Sequence, residues 1–333
     1  MSDIRITPDC KLIRVLADHA KNQCNDGDAI REAKEIMSEL ASDMSPANRH
    51  MIAQTVAYTV NNLQKQEFDF LNQIADVKTI GYGDKAEFNV KSDRGIKAVI
   101  QAKGGSTTPR SFETVTKVPV MTHEVSARPA INIYDLRTGR IDMGDMIAEA
   151  NRQMTIVKLS HIEDVLHKAI ATYSSPFYAT GTGVNKAALD AQINYFRRLG
   201  QVNVLGDIAA VSQMSNLVGM SMNSNTTQRS NGAMDEFNEN GYIGRYNGAL
   251  VTALTNAYGR DGVTPALKPN WLYILPVGLS ADARDLKVVN EGEVNAFEAQ
   301  DINDMVFEIR LDQAFGAAFV KRSIPNIGAY CIN

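Results

Sequence analysis

The residues best suited to chemistry lie together on one stretch of chain: His161, Glu163, Asp164 and His167. A divalent metal bound on a helix takes two histidines four residues apart and a third ligand from elsewhere. Here the imidazoles are six residues apart, which turns them to different faces, whereas Asp164 and His167 could share one. The pattern points to a solvated or interfacial helix face. Gly81-Tyr82-Gly83 and Gly181-Thr182-Gly183 do not extend to GxGxxG, and no GxxxxGK[ST] occurs, so these glycines read as hinges at element boundaries. There is no GxSxG elbow, no HExxH and no recognisable catalytic cysteine. Glu291 and Glu293 stand in a turn-like context, where carboxylates are usually solvated. No catalytic, metal or cofactor site is expected, and the chain is not read as an enzyme.

The elements that carry these residues are unusual in extent. The break at Gly139 precedes a helical pattern from about Asp142 to Tyr173, with Met143, Ile147, Ala150, Met154, Val157, Ile162, Leu166 and Ile170 among its apolar positions. Such a helix is about 48 Å long. Before it, residues 81–128 change to a period of two: Ala86, Phe88 and Val90 alternate with Lys85, Glu87, Asn89 and Lys91, residues 96–102 are β-compatible, and KGGSTTPR at 103–110 reads as a tip. Two limbs of this length could reach about 50 Å. A compact globule of this chain length has a radius of gyration of about 20 Å. The expectation is that arm and helix each find a packing partner partly on another copy. The arm's cations Lys85, Arg94, Lys97, Lys103 and Arg110, with Phe112, are candidate inter-subunit contacts. They can resist edge-to-edge pairing as solvated lysines and arginines, or meet acidic surfaces of neighbours and set register. Gly81, Gly83 and Gly139 are candidate hinges.

Around these, residues 1–75 read as a helical arm, with Asp28 capping one helix and Ser45-Pro46 starting the next. Residues 185–220 alternate helix, strand and helix, and 221–241 form a long polar connection. Strands follow at 242–257, 271–277, 305–311 and 316–322. The balance of 34 basic and 38 acidic residues, net −4, argues against a binder that relies on phosphate neutralisation. Cys10, Cys24 and Cys331 have no CxxC spacing and read as free thiols of a reducing compartment. No secretory signal and no apolar run long enough to span a membrane occurs.

The order of elements, together with GYIGRYNGALVTALTNAY at 241–258, NWLYILPVG at 270–278 and the terminal FEIRLDQAFGAAFVKRSIPNIGAYCI, resembles the major capsid proteins of tailed bacteriophages with the Hong Kong 97 type fold. The resemblance implies an α+β fold: a helical N-terminal arm at 1–75, an extended β-hairpin (the E-loop) at 76–130, a peripheral domain with a spine helix at 131–184, a mixed α/β axial domain at 185–295, and return strands of the peripheral domain at 296–333. It implies hexamers and pentamers closing an icosahedral shell around double-stranded DNA without sequence-specific contacts. A portal, a possible decoration protein, assembly in the host bacterial cytoplasm and residence in the virion are further implied. Many family members carry a large N-terminal scaffolding segment that a protease removes; with only about 45 residues before the matching region, a separate scaffolding protein and no maturation cleavage are the expectation here. Some family members crosslink an E-loop lysine to a neighbour's asparagine. No local motif selects such a pair here, Asn326 included. Two alternatives stand beside this reading: an encapsulin-like compartment shell, and a soluble α/β enzyme or ligand-binding protein.

Overall fold

The computed structural model describes residues 10–21, 27–67, 71–90, 116–214, 217, 238–254, 256, 258, 259, 262–301, 305–322 and 324–333. Four helices open the chain: α1 (Cys10–Ala20), α2 (Gly27–Ser42), α3 (Pro46–Glu67) and α4 (Leu71–Ile74). Pro46 starts α3 where its missing N–H costs nothing, and the Asn48 N–H donates to Ser45 Oγ at 3.4 Å. Next come β1 (Ala75–Ile80), the short ribbon β2 (Glu87–Val90) and β3 (Thr116–Pro119), then β4 (His123–Ala127), β5 (Ala130–Asn132) and α5 (Ile133–Arg137). The long helix α6 (Met143–Ile170) is capped by Asp142, whose Oδ1 accepts the Gly144 N–H at 2.9 Å. The rest of the chain supplies β6 (Tyr178–Gly181), α7 (Lys186–Arg197), β7 (Val202–Asp207), α8 (Ile208–Gln213), β8 (Arg245–Tyr246), β9 (Ala249–Leu254), β10 (Trp271–Pro276), β11 (Leu286–Asp301), β12 (Val306–Phe319) and β13 (Gly328–Ile332). Between β10 and β11 lies a single 3-10 turn, Ala281–Ala283.

Two larger sheets take eleven of the described strands, and β2 and β3 pair with each other as a separate ribbon. The first is five-stranded, in the order β1-β11-β12-β4 with β5 also on β12; its spine is the long antiparallel β11–β12 hairpin. Residues 305–311 and 316–322, expected as separate strands, are largely one strand, β12. The second sheet is six-stranded, in the order β6-β13-β10-β7-β9-β8. It takes β6 and β13 from outside residues 185–295, while all of β11 belongs to the first sheet, so neither sheet coincides with the expected 184/185 and 295/296 boundaries. The reason is visible in β10, all of whose residues are buried. Leu272 and Ile274 pack with Leu189, Ile193 and Phe196 of α7, whereas Trp271, Tyr273 and Leu275 join the core that contains α6. A strand covered on both faces reads as a continuous apolar run, here WLYILP.

The helix α6 is packed by its own chain. Ile147, Met154, Ile162, Leu166 and Ile170 are almost completely buried, and α1, α3, β4 and β12 all lie against it. Its own chain thus supplies much of the packing of α6, while Val157 stays 53% exposed. Its length of about 42 Å is accommodated because both sheets share it. The N-terminal helices are likewise part of the main core: Leu12, Leu16, Ala33, Met37 and Ala41 pack with Ile52, Val56 and Val60 of α3. Asp142 ties them down, accepting from Lys34 Nζ at 2.7 Å and lying 3.1 Å from His19 Nε2. None of the described helices is long and apolar enough to cross a membrane.

Candidate assembly surfaces

The four chemically suggestive residues of α6 are spread around the helix. His161 meets His123 and Phe315 edge-on, with ring centroids 5.7 and 5.5 Å away, on the side of β4 and β12. Asp164 points outward to Lys268 Nζ at 2.8 Å. Glu163 and His167, expected on a solvated or interfacial face, are buried against β10, because that strand supplies the partners they need. His167 stacks on Trp271 with a centroid distance of 3.6 Å. Its Nε2 lies 2.7 Å from Tyr273 Oη, and Tyr273 donates to Glu163 Oε1 at 3.0 Å. The Lys268 backbone N–H also donates to Glu163, and Lys268 Nζ sits 3.5 Å from His167 Nδ1. One tautomer satisfies every member: Nε2–H donates to the tyrosine and Nδ1 accepts from the lysine. Burial, with Lys268 adding to it, pushes the His167 imidazole down to about 3, and burial pushes the Glu163 carboxyl above the usual carboxylate range. The cluster fastens α6 to the six-stranded sheet.

The base of the expected arm is the more informative region. β2 and β3 pair antiparallel, from Glu87 opposite Pro119 to Val90 opposite Thr116. This ribbon lies on the face of the first sheet opposite the helices. Phe88 is only 1% exposed and packs with Val120 and Val289, flanked by Ile80, Ala86 and Ala318. Two cations lie over its ring: Lys78 Nζ at 4.4 Å from the centroid and Lys287 Nζ at 5.3 Å. Lys287 is itself fully buried and ion-paired with Asp76 at 2.8 Å. The returning limb presses so closely on β12 that a Cβ at Gly316 would collide with the Met121 carbonyl oxygen.

Of the sequence-derived contact candidates, Lys85 is exposed on the outgoing limb. Arg94, Lys97, Lys103, Arg110 and Phe112 lie outside the described residues. Gly83 has φ +83, in the left-handed region that favours glycine, and Gly139, φ +66, joins α5 to α6; Gly81 is bonded through its N–H to Asp84 Oδ2 at 3.1 Å. Sequence reasoning missed Tyr82 and Met121, which are 79% and 82% exposed on the two limbs of the arm base. Alternation could not reveal them, because Tyr82 lies in the turn before the ribbon and Met121 in the short connection from β3 to β4. It also read Glu291 as a solvated turn carboxylate. Glu291 Oε1 instead accepts the Gly83 N–H at 2.8 Å.

A second exposed feature is the β8–β9 hairpin at the edge of the six-stranded sheet. Asn247 and Gly248 both have positive φ, 47° and 75°, as a two-residue type I′ turn requires. Arg197 of α7 holds this turn by donating from Nη1 to the Asn247 carbonyl at 2.8 Å. Leu250 and Ile208 stay partly exposed, at 39% and 47%.

The model of the YonB family, described as "SPbeta prophage-derived putative capsid protein YonB", matches residues 1–330. The chain belongs to this capsid family. Among solved structures, the capsid of the cyanophage P-SCSP1u is similar with a TM-score of 0.50 at 10% identity, covering 79% of this chain and 86% of that one. The capsid of an empty GTA particle gives 0.49 at 12% identity, covering 79% and 89%. A virus-like particle from Pyrococcus furiosus gives 0.45 at 13% identity, covering 83% and 96%. Comparison with curated proteins yields no match. The likeness to the cyanophage capsid is one of fold, the Hong Kong 97 type. Family membership makes the chain a major capsid protein, a structural component of a viral shell and not an enzyme, and places it in the virion capsid.

Proposed function

We propose that the chain assembles as hexamers and pentamers into an icosahedral shell that encloses double-stranded DNA, with the arm of each subunit lying on a neighbouring copy. The observation that carries this reading is the arm base. A ribbon fixed to its own subunit by Phe88 has 25 residues, 91–115, in the sequence between its two strands. Beside it lie the exposed side chains of Tyr82, Lys85 and Met121. The first sheet with α3 and α6 corresponds to a peripheral domain, and the six-stranded sheet with α7 and α8 to an axial domain whose β8–β9 hairpin faces the capsomer centre. Lys85, Arg94, Lys97, Lys103, Arg110 and Phe112 remain the proposed contacts, and Gly81, Gly83 and Gly139 the proposed hinges. A net charge of −4 suits a wall that surrounds nucleic acid without gripping it. A separate scaffolding protein, a portal and assembly in the bacterial cytoplasm complete the proposal. Electron microscopy of particles from infected or induced cells, with nuclease digestion before and after disruption, tests it. Closed icosahedral particles of this chain that protect DNA are expected. Particles that hold protein cargo and no DNA would overturn the phage reading.

A further inference from the structure

We propose that Glu291 is the latch that sets the direction in which the arm leaves the subunit. The pairing of β11 with β12 shifts between Glu291 and Asn295, where Gly292, Glu293 and Val294 stand opposite the single residue Gln313. Such a bulge re-aims side chains, and its geometry depends on Gly292, whose φ is +70. It is also anchored from below. The Val294 N–H donates to Asn61 Oδ1 of α3 at 2.8 Å, and the Val294 side chain is 4% exposed within the main core. The bulge is therefore rigidly seated on the helix layer, and it presents Glu291 to the opposite face, where the arm begins.

There a single carboxylate holds both limbs. Oε1 accepts the N–H of Gly83 on the outgoing limb, and the side chain of Thr122 on the returning limb bonds to the same carboxylate. These bonds, the Gly83 N–H first, keep the Glu291 carboxyl below the usual carboxylate range. Phe88 fastens the ribbon to the sheet through apolar contact, which resists lifting but permits sliding. A carboxylate bonded to both limbs adds the directional constraint, since hydrogen bonds to an ionised acceptor are short and depend on angle. The neighbouring backbone is able to respond: Gly83 is in the left-handed region, and Tyr82 and Met121 are largely exposed.

Hydrogen exchange on the full chain tests the latch. In Glu291→Ala, the Gly83 amide and the amides of residues 116–122 should exchange about tenfold or more faster, while the β11–β12 ladder keeps its protection. Glu291→Gln keeps a neutral acceptor and should fall between wild type and alanine. Thr122→Val should speed exchange in 116–122 more than at Gly83. Unchanged exchange at Gly83 in Glu291→Ala, or equal loosening of the whole β11–β12 ladder, would overturn the proposal. The consequence for assembly rests on the reading of the arm as an inter-subunit element. Faster exchange at the arm base with normal shells would keep the latch and refute that reading, whereas unchanged exchange refutes the latch whatever the shells do.

Discussion

Phe88→Ala is the perturbation that separates the fold of the subunit from the anchoring of its arm. Phe88 is 1% exposed, yet its cluster of Phe88, Val120 and Val289 is small and separate from the main core. A phenylalanine buries about 150–250 Å², which at about 25 cal/mol per Å² corresponds to about 4–6 kcal/mol. Measured Phe→Ala changes in cores cost about 3–5 kcal/mol, and the lower end applies where the site can open to water. The cations Lys78 and Lys287 lose their aromatic face as well, worth about 0.5–2 kcal/mol. The loss falls on attachment of the ribbon, because β1, β11 and β12 keep their own ladder. A local destabilisation of about 3 kcal/mol is roughly a 150-fold change in an opening equilibrium. Hydrogen exchange by mass spectrometry should show it in residues 81–90 and 116–122, with α6 and β10 unaffected. Light scattering should show impaired assembly by a folded subunit. Uniform acceleration across the chain would refute the separation of arm base from core, and normal exchange in the ribbon would refute the role of Phe88.

Three further outcomes follow from the same geometry. Lys287→Met leaves Asp76 buried without its partner and should cost about 3–5 kcal/mol in chemical denaturation, most of it recovered in Lys287→Met with Asp76→Leu. Failure of the double variant to recover would show that the pair is not the source. Lowering the pH from 6.5 towards 3 should destabilise the subunit through His167, since the unfolded chain binds a proton there that the buried imidazole refuses. The slope is at most about 1.4 kcal/mol per unit, reduced where Glu163, whose carboxyl is pushed up, takes a proton in the folded state. His167→Phe should flatten this slope, and an unchanged slope would assign it elsewhere. Lys85→Glu, at an exposed site, should change stability by no more than about 0.5 kcal/mol while weakening assembly; normal assembly would remove Lys85 from the contact set.

Much of the fold was legible because local rules and tertiary packing agree at particular residues. Asp142 caps α6 and Ser45-Pro46 opens α3 as their types dictate, and the alternation of Ala86, Phe88 and Val90 marks the arm's outgoing limb. Asn247-Gly248 provides the type I′ turn within the stretch that carries the family resemblance. What stayed hidden depends on partners distant in sequence. The polar residues Glu163 and His167 look solvated until Tyr273 and Lys268, about 100 positions later, satisfy them. Lys158 is fully buried in the middle of α6, with Nζ donating to the side-chain oxygens of Gln64 and Gln313, an arrangement that periodicity alone reads as a polar face. The join of β13 to β6 and β10 is equally invisible locally, since a strand's period says which face is buried but not which neighbour it pairs with. Glu291 was misread for the same reason: the bulge that aims it is a property of two paired strands.

Copies of this chain should build a closed shell on their own. Light scattering of the purified chain over a wide concentration range, with electron microscopy of the same samples, addresses it most directly. Capsomer-sized oligomers and closed particles of uniform diameter are expected. A chain that remains a monomer at every concentration, in cells and after purification, would contradict it.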